Sequence, residues 1–316
     1  MFLIIGTVTA DLLVSGAMPL TSQGDDGFQS SNLVFSDVPL TICMGGNGGN
    51  SAYVLAGLGA PTALGGAVGQ DLLGDALDGW LEAREVNLAG LTRSATHATS
   101  SSTIIMAGAG NQVVFHHLGA TAQARVEEIP DAIFAAADTL LVSSFPIMPQ
   151  LRAGGFARAL ARVHGAGGVT ALDIGPAIGE PVTLSELAPL LPLVDYFIAN
   201  THEMASLTGA SGGSAAEQVL AAGARRVVIK QGADGAALWS RRERITVPAF
   251  PVVTHVTVGA GDSFNVGFLY GVRQGWPLEQ ALRFGSAVAA LVVASPRGVL
   301  DAPTLAEVEA FLASHA

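Results

Sequence analysis

The chain has 316 residues, of which half are hydrophobic and 13% charged, and its net charge is -11. That much apolar material can bury a substantial core, which excludes a disordered chain. The acidic balance argues against nucleic acid and anionic membranes as partners. The single cysteine, Cys43, permits no intrachain disulfide and fits a reducing cytoplasm. No apolar run is long enough to span a bilayer. Lys230 is the only lysine, so any step that needs one has a single candidate.

The opening stretch lacks a basic segment ahead of its apolar run, and reads as a first strand, Phe2–Ile5, rather than a signal peptide. The pieces Leu12–Ser15, Leu33–Phe35 and Leu40–Met44 then read as strands with no helix among them. Asn47–Leu58 predicts a helix and Thr62–Val68 a strand. Leu72, Leu73, Ala76, Leu77 and Trp80 fall at helical spacing and predict a helix over Asp71–Arg84. Thr99–His117 reads as a hairpin of Ser102–Met106 and Val113–His117 around Gly108-Ala109-Gly110-Asn111. His116 and His117 should point to opposite faces of its second strand.

Farther along, strands at Thr139–Ser143, Val169–Asp173, Tyr196–Ala199 and Val227–Lys230 alternate with helices near Pro149–His164, Leu184–Leu190, His202–Thr208 and Ser214–Ala222. The last third is helical, over Ala260–Gln274, Leu278–Ala294 and Leu305–Ala313, with Pro277 and Pro303 at or just before helix starts. This alternation predicts an α/β fold with a mostly parallel sheet covered on both faces. The segments that interrupt it, roughly 11–44 and 97–119, predict a small second sheet. Such a sheet cannot bury both faces unaided. It should cover the site, pack on a second subunit, or do both.

Four motifs could carry chemistry. In Val258-Gly259-Ala260-Gly261-Asp262 a glycine-rich turn opens a helix, so free N–H groups would converge on an anion. Asp262 is then either a first-turn acid that stabilises the helix or a general base beside that anion hole. Gly45-Gly46-Asn47-Gly48-Gly49-Asn50 lies between a strand and a helix. It is either a turn capped by an Asn or a place of close backbone approach to a hydroxylated ligand. Asn200 and Glu203 follow a strand end, where residues face the site crevice. They form an ordinary cap, or else Asn200 reaches a phosphate and Glu203 holds water around Mg²⁺. Lys230, Gly232 and Gly235 close another strand and its turn. The histidines show no metal-ligand spacing.

In order, these motifs resemble the ribokinase-like (PfkB) carbohydrate kinases over nearly the whole chain. Gly6-Thr7-Val8-Thr9-Ala10-Asp11 is similar to the family's first strand and sugar-contacting Asp, and Gly46, Asn47 and Asn50 to its first signature. Gly66–Asp71 fits the strand and loop that follow. Asn200 and Glu203 match its Asn-x-x-Glu motif, Lys230, Gly232 and Gly235 its nucleotide-side turn, and Gly259–Asp262 its second signature. The resemblance implies one ribokinase-like unit over 1–316, a three-layer α/β/α sandwich with a β-sheet lid. ATP and Mg²⁺ would lie over the turns after residues 200 and 230. The acceptor would touch Asp11, Gly46, Asn47 and Asn50. Asp262 would deprotonate a primary hydroxyl while the amides of Gly259, Ala260 and Gly261 hold the transferred group.

Three positions depart from the family pattern. Val256 stands where the family often has an Asp that helps bind a monovalent cation, so K⁺ activation does not carry over. Thr121 ends what is commonly Gly-Ala-Asn. Phe145 follows a strand where some sugar kinases place an acid, which implies a flatter or less hydroxylated acceptor. Expected partners are a sugar-like small molecule and, through the lid, a second copy of the chain. The alternatives are a nucleoside kinase of the same fold and a non-catalytic sugar- or nucleotide-binding regulator. A dinucleotide-binding oxidoreductase lacks its Gly-x-Gly-x-x-Gly after the first strand, and a P-loop kinase lacks Gly-Lys-Ser/Thr.

Overall fold

A computed structural model describes residues 1–15, 39–107, 111–175 and 178–315. In chain order the strands are β1 (Phe2–Ile5), β2 (Thr9–Ser15), β3 (Thr41–Gly45), β4 (Thr62–Gly69), β5 (Asn87–Ser94), β6 (Ser100–Ala107), β7 (Asn111–His117), β8 (Thr139–Val142), β9 (Val169–Asp173), β10 (Tyr196–Asn200), β11 (Arg226–Lys230), β12 (Ala236–Ser240) and β13 (Arg244–Val247). The helices are α1 (Asn47–Gly57), α2 (Leu72–Glu82), α3 (Asp131–Ala136), α4 (Phe156–Gly165), α5 (Leu184–Leu187), α6 (Thr201–Thr208), α7 (Gly212–Ala221), α8 (Ala260–Arg273), α9 (Leu278–Val293) and α10 (Leu305–Ser314). None of the described helices is long and apolar enough to cross a membrane.

Nine strands form one sheet in the order β13-β12-β11-β10-β9-β8-β1-β4-β5. Neighbours are parallel except along β11-β12-β13. The strands are apolar on both faces because both faces are covered. Phe2 and Ile4 enter one core with Tyr53, Val54, Phe268 and Leu269, while Leu3 and Ile5 enter the other with Phe156, Leu160 and Val219. Phe268 is fully buried, and truncating it to Ala would cost about 3–5 kcal/mol. It lies on α8, so this packing also fixes the helix that carries Asp262.

From β1 the chain runs through α1 to β4, whereas β8 leads the other way to β9, so the order reverses between β1 and β8. The reversal puts α1 and α4 against opposite faces and opens a crevice outside the C-terminal ends of β1 and β8. The glycine-rich start of α1 projects into that crevice.

The second sheet has four strands in the order β3-β2-β6-β7. Its register sets Cys43, Asp11, Ser102 and His116 in one row across the strands. The next row on the opposite face is Ile42, Leu12, Thr103 and Phe115. Asp11, Cys43 and Ser102 are buried, whereas Ile42 and Phe115 are 47% and 62% exposed. The inward face therefore sets the polar Asp11 and Ser102 beside the buried Leu13 and Ile104, while Ile42 and Phe115 look outward.

Several elements depart from the sequence expectation. β5, β12, β13 and α3 were not signalled by periodicity. The helix expected over Pro149–His164 is regular only from Phe156, because Gly154 at φ 122 interrupts its first turns. The helix expected over Leu184–Leu190 ends at Leu187. The strand expected at Leu33–Phe35 and the hairpin turn at 108–110 lie outside the described residues.

Candidate active site

Two helix N-termini meet at the crevice. At α1, Gly46 takes φ 77, and a Cβ there would lie 2.5 Å from the Thr7 carbonyl oxygen. Gly48 packs so tightly on Gly6 that a Cβ would come within 2.7 Å of its carbonyl carbon. The Asn47 N–H donates to Thr7 Oγ1 at 3.0 Å, and the Gly49 N–H to the Thr7 carbonyl at 3.0 Å. Thr7 thus satisfies donors that a helix start leaves open. Neither Asn47 nor Asn50 caps the helix by its side chain.

Those two side chains reach across to α8. Asn47 Nδ2 donates to Asp262 Oδ1 and Asn50 Nδ2 to Asp262 Oδ2, each at 2.9 Å. Gly259 holds the left-handed cap of α8 at φ 79, where a Cβ would overlap Val299. The Ala260 N–H is turned to the Thr257 carbonyl at 3.3 Å, and Ser263 N–H to that of Gly259 at 2.9 Å. The N–H groups of Gly259, Gly261 and Asp262 have no hydrogen-bond partner among the described residues. These, rather than the expected 259–261 set, are the open donors of the turn. Burial pushes the Asp262 carboxyl up to about 7; the hydrogen bond from Asn50 opposes the rise and the Asp173 charge adds to it.

Asp173, which ends β9, was not singled out from the sequence. Its Oδ2 accepts from Lys230 Nζ at 2.7 Å and from Asn265 Nδ2, and its Oδ1 from the Gly175 N–H at 2.9 Å. Burial alone would depress the Lys230 pKa, but the carboxylates of Asp173 and Glu203 outweigh it and raise it. Lys230 Nζ sits 3.2 Å from where a Cβ on Gly261 would lie, so the ammonium borders the α8 turn. An acid closing an apolar strand at the same edge as Asn200 and Lys230 is the signal that would have marked Asp173.

Asn200 and Glu203 form a reciprocal capping box on α6: the Glu203 N–H donates to Asn200 Oδ1 at 2.8 Å, and the Asn200 N–H to Glu203 Oε2 at 2.7 Å. The box leaves Asn200 Nδ2 and Glu203 Oε1 without partners among the described residues. Burial, and next the Asp173 charge, raise Glu203 to about 7.

Asn47, Asp173, Glu203, Lys230, Gly261 and Asp262 all line one polar cavity of about 510 Å³. A second cavity of about 510 Å³ opens beside it, sharing Lys230, Gly232 and Gly261. Its walls are mainly apolar, among them Phe250, Val252, Phe264 and Val293, and Gly235 also borders it. Gly235 takes φ 93, and a Cβ there would overlap the Val247 carbonyl. Both volumes suit small-molecule binding.

On the lid side, Asp11 is 5% exposed, and its Oδ1 has no partner among the described residues. Its carboxylate lies against Gly45, next to the Gly46 cap. Burial lifts it to about 6, against the hydrogen bond with Ser102. Ser102 Oγ also lies 3.0 Å from His116 Nδ1. Thr7 Oγ1 and Ser144 Oγ are 3.0 Å apart, and Ser144 Oγ donates to Asn47 Oδ1 at 2.9 Å, so both residues orient Asn47. Neither was foreseen.

Phe145 does not meet its expectation. It is 1% exposed and stacks on Phe156 at 5.4 Å, because the left-handed turn at Ser144 sends it into the core. Ser143 and Ser144 are what the end of β8 offers the crevice.

The profile described as "pfkB family carbohydrate kinase" matches residues 29–305. The chain belongs to that family. A 5-dehydro-2-deoxygluconokinase of Geobacillus kaustophilus (strain HTA426) is 39% identical over 93 residues, which cover 29% of this chain and 28% of the relative. An ATP-dependent ribose-1-phosphate kinase of Halopiger xanaduensis is 29% identical over 276 residues, covering 86% of this chain and 87% of the relative. The ribokinase of Arabidopsis thaliana, solved with ribose and ATP, superposes with a TM-score of 0.84 at 23% identity, covering 98% of each chain. This last likeness shows the ribokinase-like fold.

Proposed function

We propose that this chain transfers the γ-phosphoryl group of ATP to a hydroxyl of a small sugar-like acceptor, with Asp262 as general base. The observation that carries the proposal is the buried Asp262 carboxylate, held by two amide donors beside the open N–H groups of α8. A pKa of about 7 suits it to take a proton at neutral pH. The N–H groups of Gly259, Gly261 and Asp262 would hold the transferring group by their dipoles. Ala260 would serve through its backbone position.

The paired cavities fit a ligand with one apolar and one polyanionic part. Gly232 and Gly235 would let a nucleobase approach the apolar cavity, while Lys230 and the Asn200 amide would face phosphates in the polar one. Three acids, Asp173, Glu203 and Asp262, share the single ammonium of Lys230; among the described residues no three acids or histidines are grouped to hold a metal directly, so a divalent cation would be bound through water and phosphate. Glu203 would hold Mg²⁺ through water; when bound, the ion neutralises phosphate charge. Asp11, Gly46, Asn47 and Asn50 would contact the acceptor, under a lid formed by the four-stranded sheet. Residues 11–44 and 97–119 would act as that lid on one kinase unit.

The outward row Ile42, Leu12, Thr103 and Phe115 would be covered by the same face of a second copy, since a two-fold axis makes a patch self-complementary. Phe115→Glu should then turn a dimer at micromolar concentration into a monomer in sedimentation. The reduced Cys43 and the acidic surface suit the cytoplasm.

The test of the kinase reading is ADP release from Mg–ATP with a panel of sugars, sugar acids and nucleosides. Turnover should vanish in Asp262→Asn while that variant still binds ATP. Persistence near the wild-type rate would overturn the base assignment.

A further inference from the structure

The lid, β1 and the start of α1 bring no fixed positive charge to the acceptor side; the one ammonium in the polar cavity, Lys230, is held by Asp173. No lysine or arginine precedes Arg84 in the sequence, so β1, β2, β3, the start of α1 and every residue between them lack one. Residues 94–119, which contain β6 and β7, have none either. This holds for the whole lid, including its residues outside the structural description, and therefore for the lid of any second copy.

Other basic residues are engaged elsewhere: Arg84 lies over the Tyr53 ring and donates to the Ala302 carbonyl at 3.3 Å. Arg93 is bound by Asp75 and Asp78, Arg152 by Glu186 at 2.7 Å, and Lys230 by Asp173 at 2.7 Å. Arg125 is exposed, between Ala124 and Val126, which are anchored in the core. His116 is shifted below the usual imidazole range by desolvation and by His117, which disfavours its charged form.

The groups that do converge on the acceptor side are hydroxyl, amide and carboxylate: Thr7, Asn47, Asn50, Ser144, Asp262 and Asp11. The buried Asp11 carboxylate has an oxygen without a partner among the described residues, as does the Ser143 hydroxyl. Acceptors that can donate hydrogen bonds would satisfy both. A carboxylate or phosphate could accept from Ser143 but has no hydrogen to give the Asp11 oxygen, and it would add like charge beside Asp11 and Asp262.

We infer that the acceptor of this kinase is an uncharged polyhydroxylated molecule, a neutral sugar, polyol or nucleoside, and that Asp11 excludes acceptors bearing a carboxylate or phosphate. The inference rests on the kinase reading above. It sets this chain apart from relatives whose names, 5-dehydro-2-deoxygluconokinase and ribose-1-phosphate kinase, denote anionic acceptors. A like charge held a few ångströms away at protein-surface dielectric disfavours binding by a factor of about 100.

The experiment pairs neutral acceptors with anionic counterparts: ribose with ribose 1-phosphate, fructose and glucose with 5-dehydro-2-deoxygluconate and gluconate, and inosine alongside. Two readouts are ADP release from Mg–ATP and thermal protection with a non-hydrolysable ATP analogue. The best kcat/KM and the largest protection are expected from a neutral acceptor, with an advantage of about 100-fold over anionic ones. Asp11→Asn, nearly isosteric, should fold with an unchanged or higher Tm and narrow that advantage at least about tenfold by gaining activity on anions. Wild-type preference for an anionic acceptor in either readout overturns the inference and leaves the kinase reading standing. An Asp11→Asn variant that loses neutral turnover without gaining anionic turnover removes Asp11 as the selector. Absence of both turnover and protection across the panel, with ATP still bound, overturns the kinase reading and the inference with it.

Discussion

The starts of α1 and α8 look alike in sequence, each a glycine-rich turn entering a helix, yet they behave differently. At α1 the open donors of Asn47 and Gly49 are closed by Thr7. At α8 the donors of Gly259, Gly261 and Asp262 find no partner among the described residues. Glycines at α1 let the backbone pack on β1, whereas at α8 they keep the space before the helix clear. One turn is a structural wedge that aims two asparagine side chains; the other is the turn we propose as the anion site. The motif alone does not distinguish them, because the difference lies in whether another strand supplies acceptors.

The strongest way to break this contrast is at Asp262. Asp262→Asn should lower kcat by at least about 10³-fold. It should also raise Tm at pH 8. The Asp262 pKa rises from 3.8 to about 7 on folding, so its contribution to stability is fully present below about 4 and is lost as pH climbs through 7. The Tm gain of the variant should therefore shrink toward pH 4 in a pH series of melting curves. Asn50, whose Oδ1 has no partner among the described residues, could flip to accept from the new amide.

Gly261→Ala and Gly48→Ala compare the two turns directly. The first presses a methyl toward Lys230 in the cavity and should cost about 10²-fold in kcat/KM with little loss of Tm. The second collides with Gly6 and should lower Tm, with kcat/KM per folded molecule largely kept. A Gly261→Ala effect confined to Tm would sink the assignment of α8 as the anion site.

The wild-type pH profile of kcat/KM should rise about tenfold per pH unit and level off above about 7, as Asp262 loses its proton. Asn50→Ala removes a hydrogen bond that favours the charged carboxylate, so this limb should move alkaline by about one pH unit. An unmoved limb would mean that another group titrates. Thr7→Val is the mildest change. It should cost about 1 kcal/mol of stability, read by urea denaturation, and leave kcat within a few-fold of wild type.

Much of the site was legible in the sequence, since its parts sit in local patterns: glycines before helices, and a polar residue at a strand end. Asp262, Asn47, Asn200 and Lys230 all fall in the polar cavity. Asp173, Thr7 and Ser144 were not legible, because each looks like the last residue of a strand or the turn beyond it until its partner on another element is known. Phe145 misled for the same reason: the turn at Ser144, not the residue type, sends it inward. β12 and β13 carry little alternation, and their pairing on β11 makes them strands.

The sequence by itself determined the α/β alternation, the order of the signature turns and the absence of any lysine or arginine from the first 83 residues. These are properties of local periodicity and of composition, which no folding can change. Only the tertiary structure decided which glycine turn keeps its N–H groups open, which acid shares Lys230, and which face of the small sheet looks inward. Those depend on strand register and on hydrogen-bond partners distant in sequence, such as Thr7 and Asn47, 40 residues apart, and Asp173 and Lys230, 57 apart.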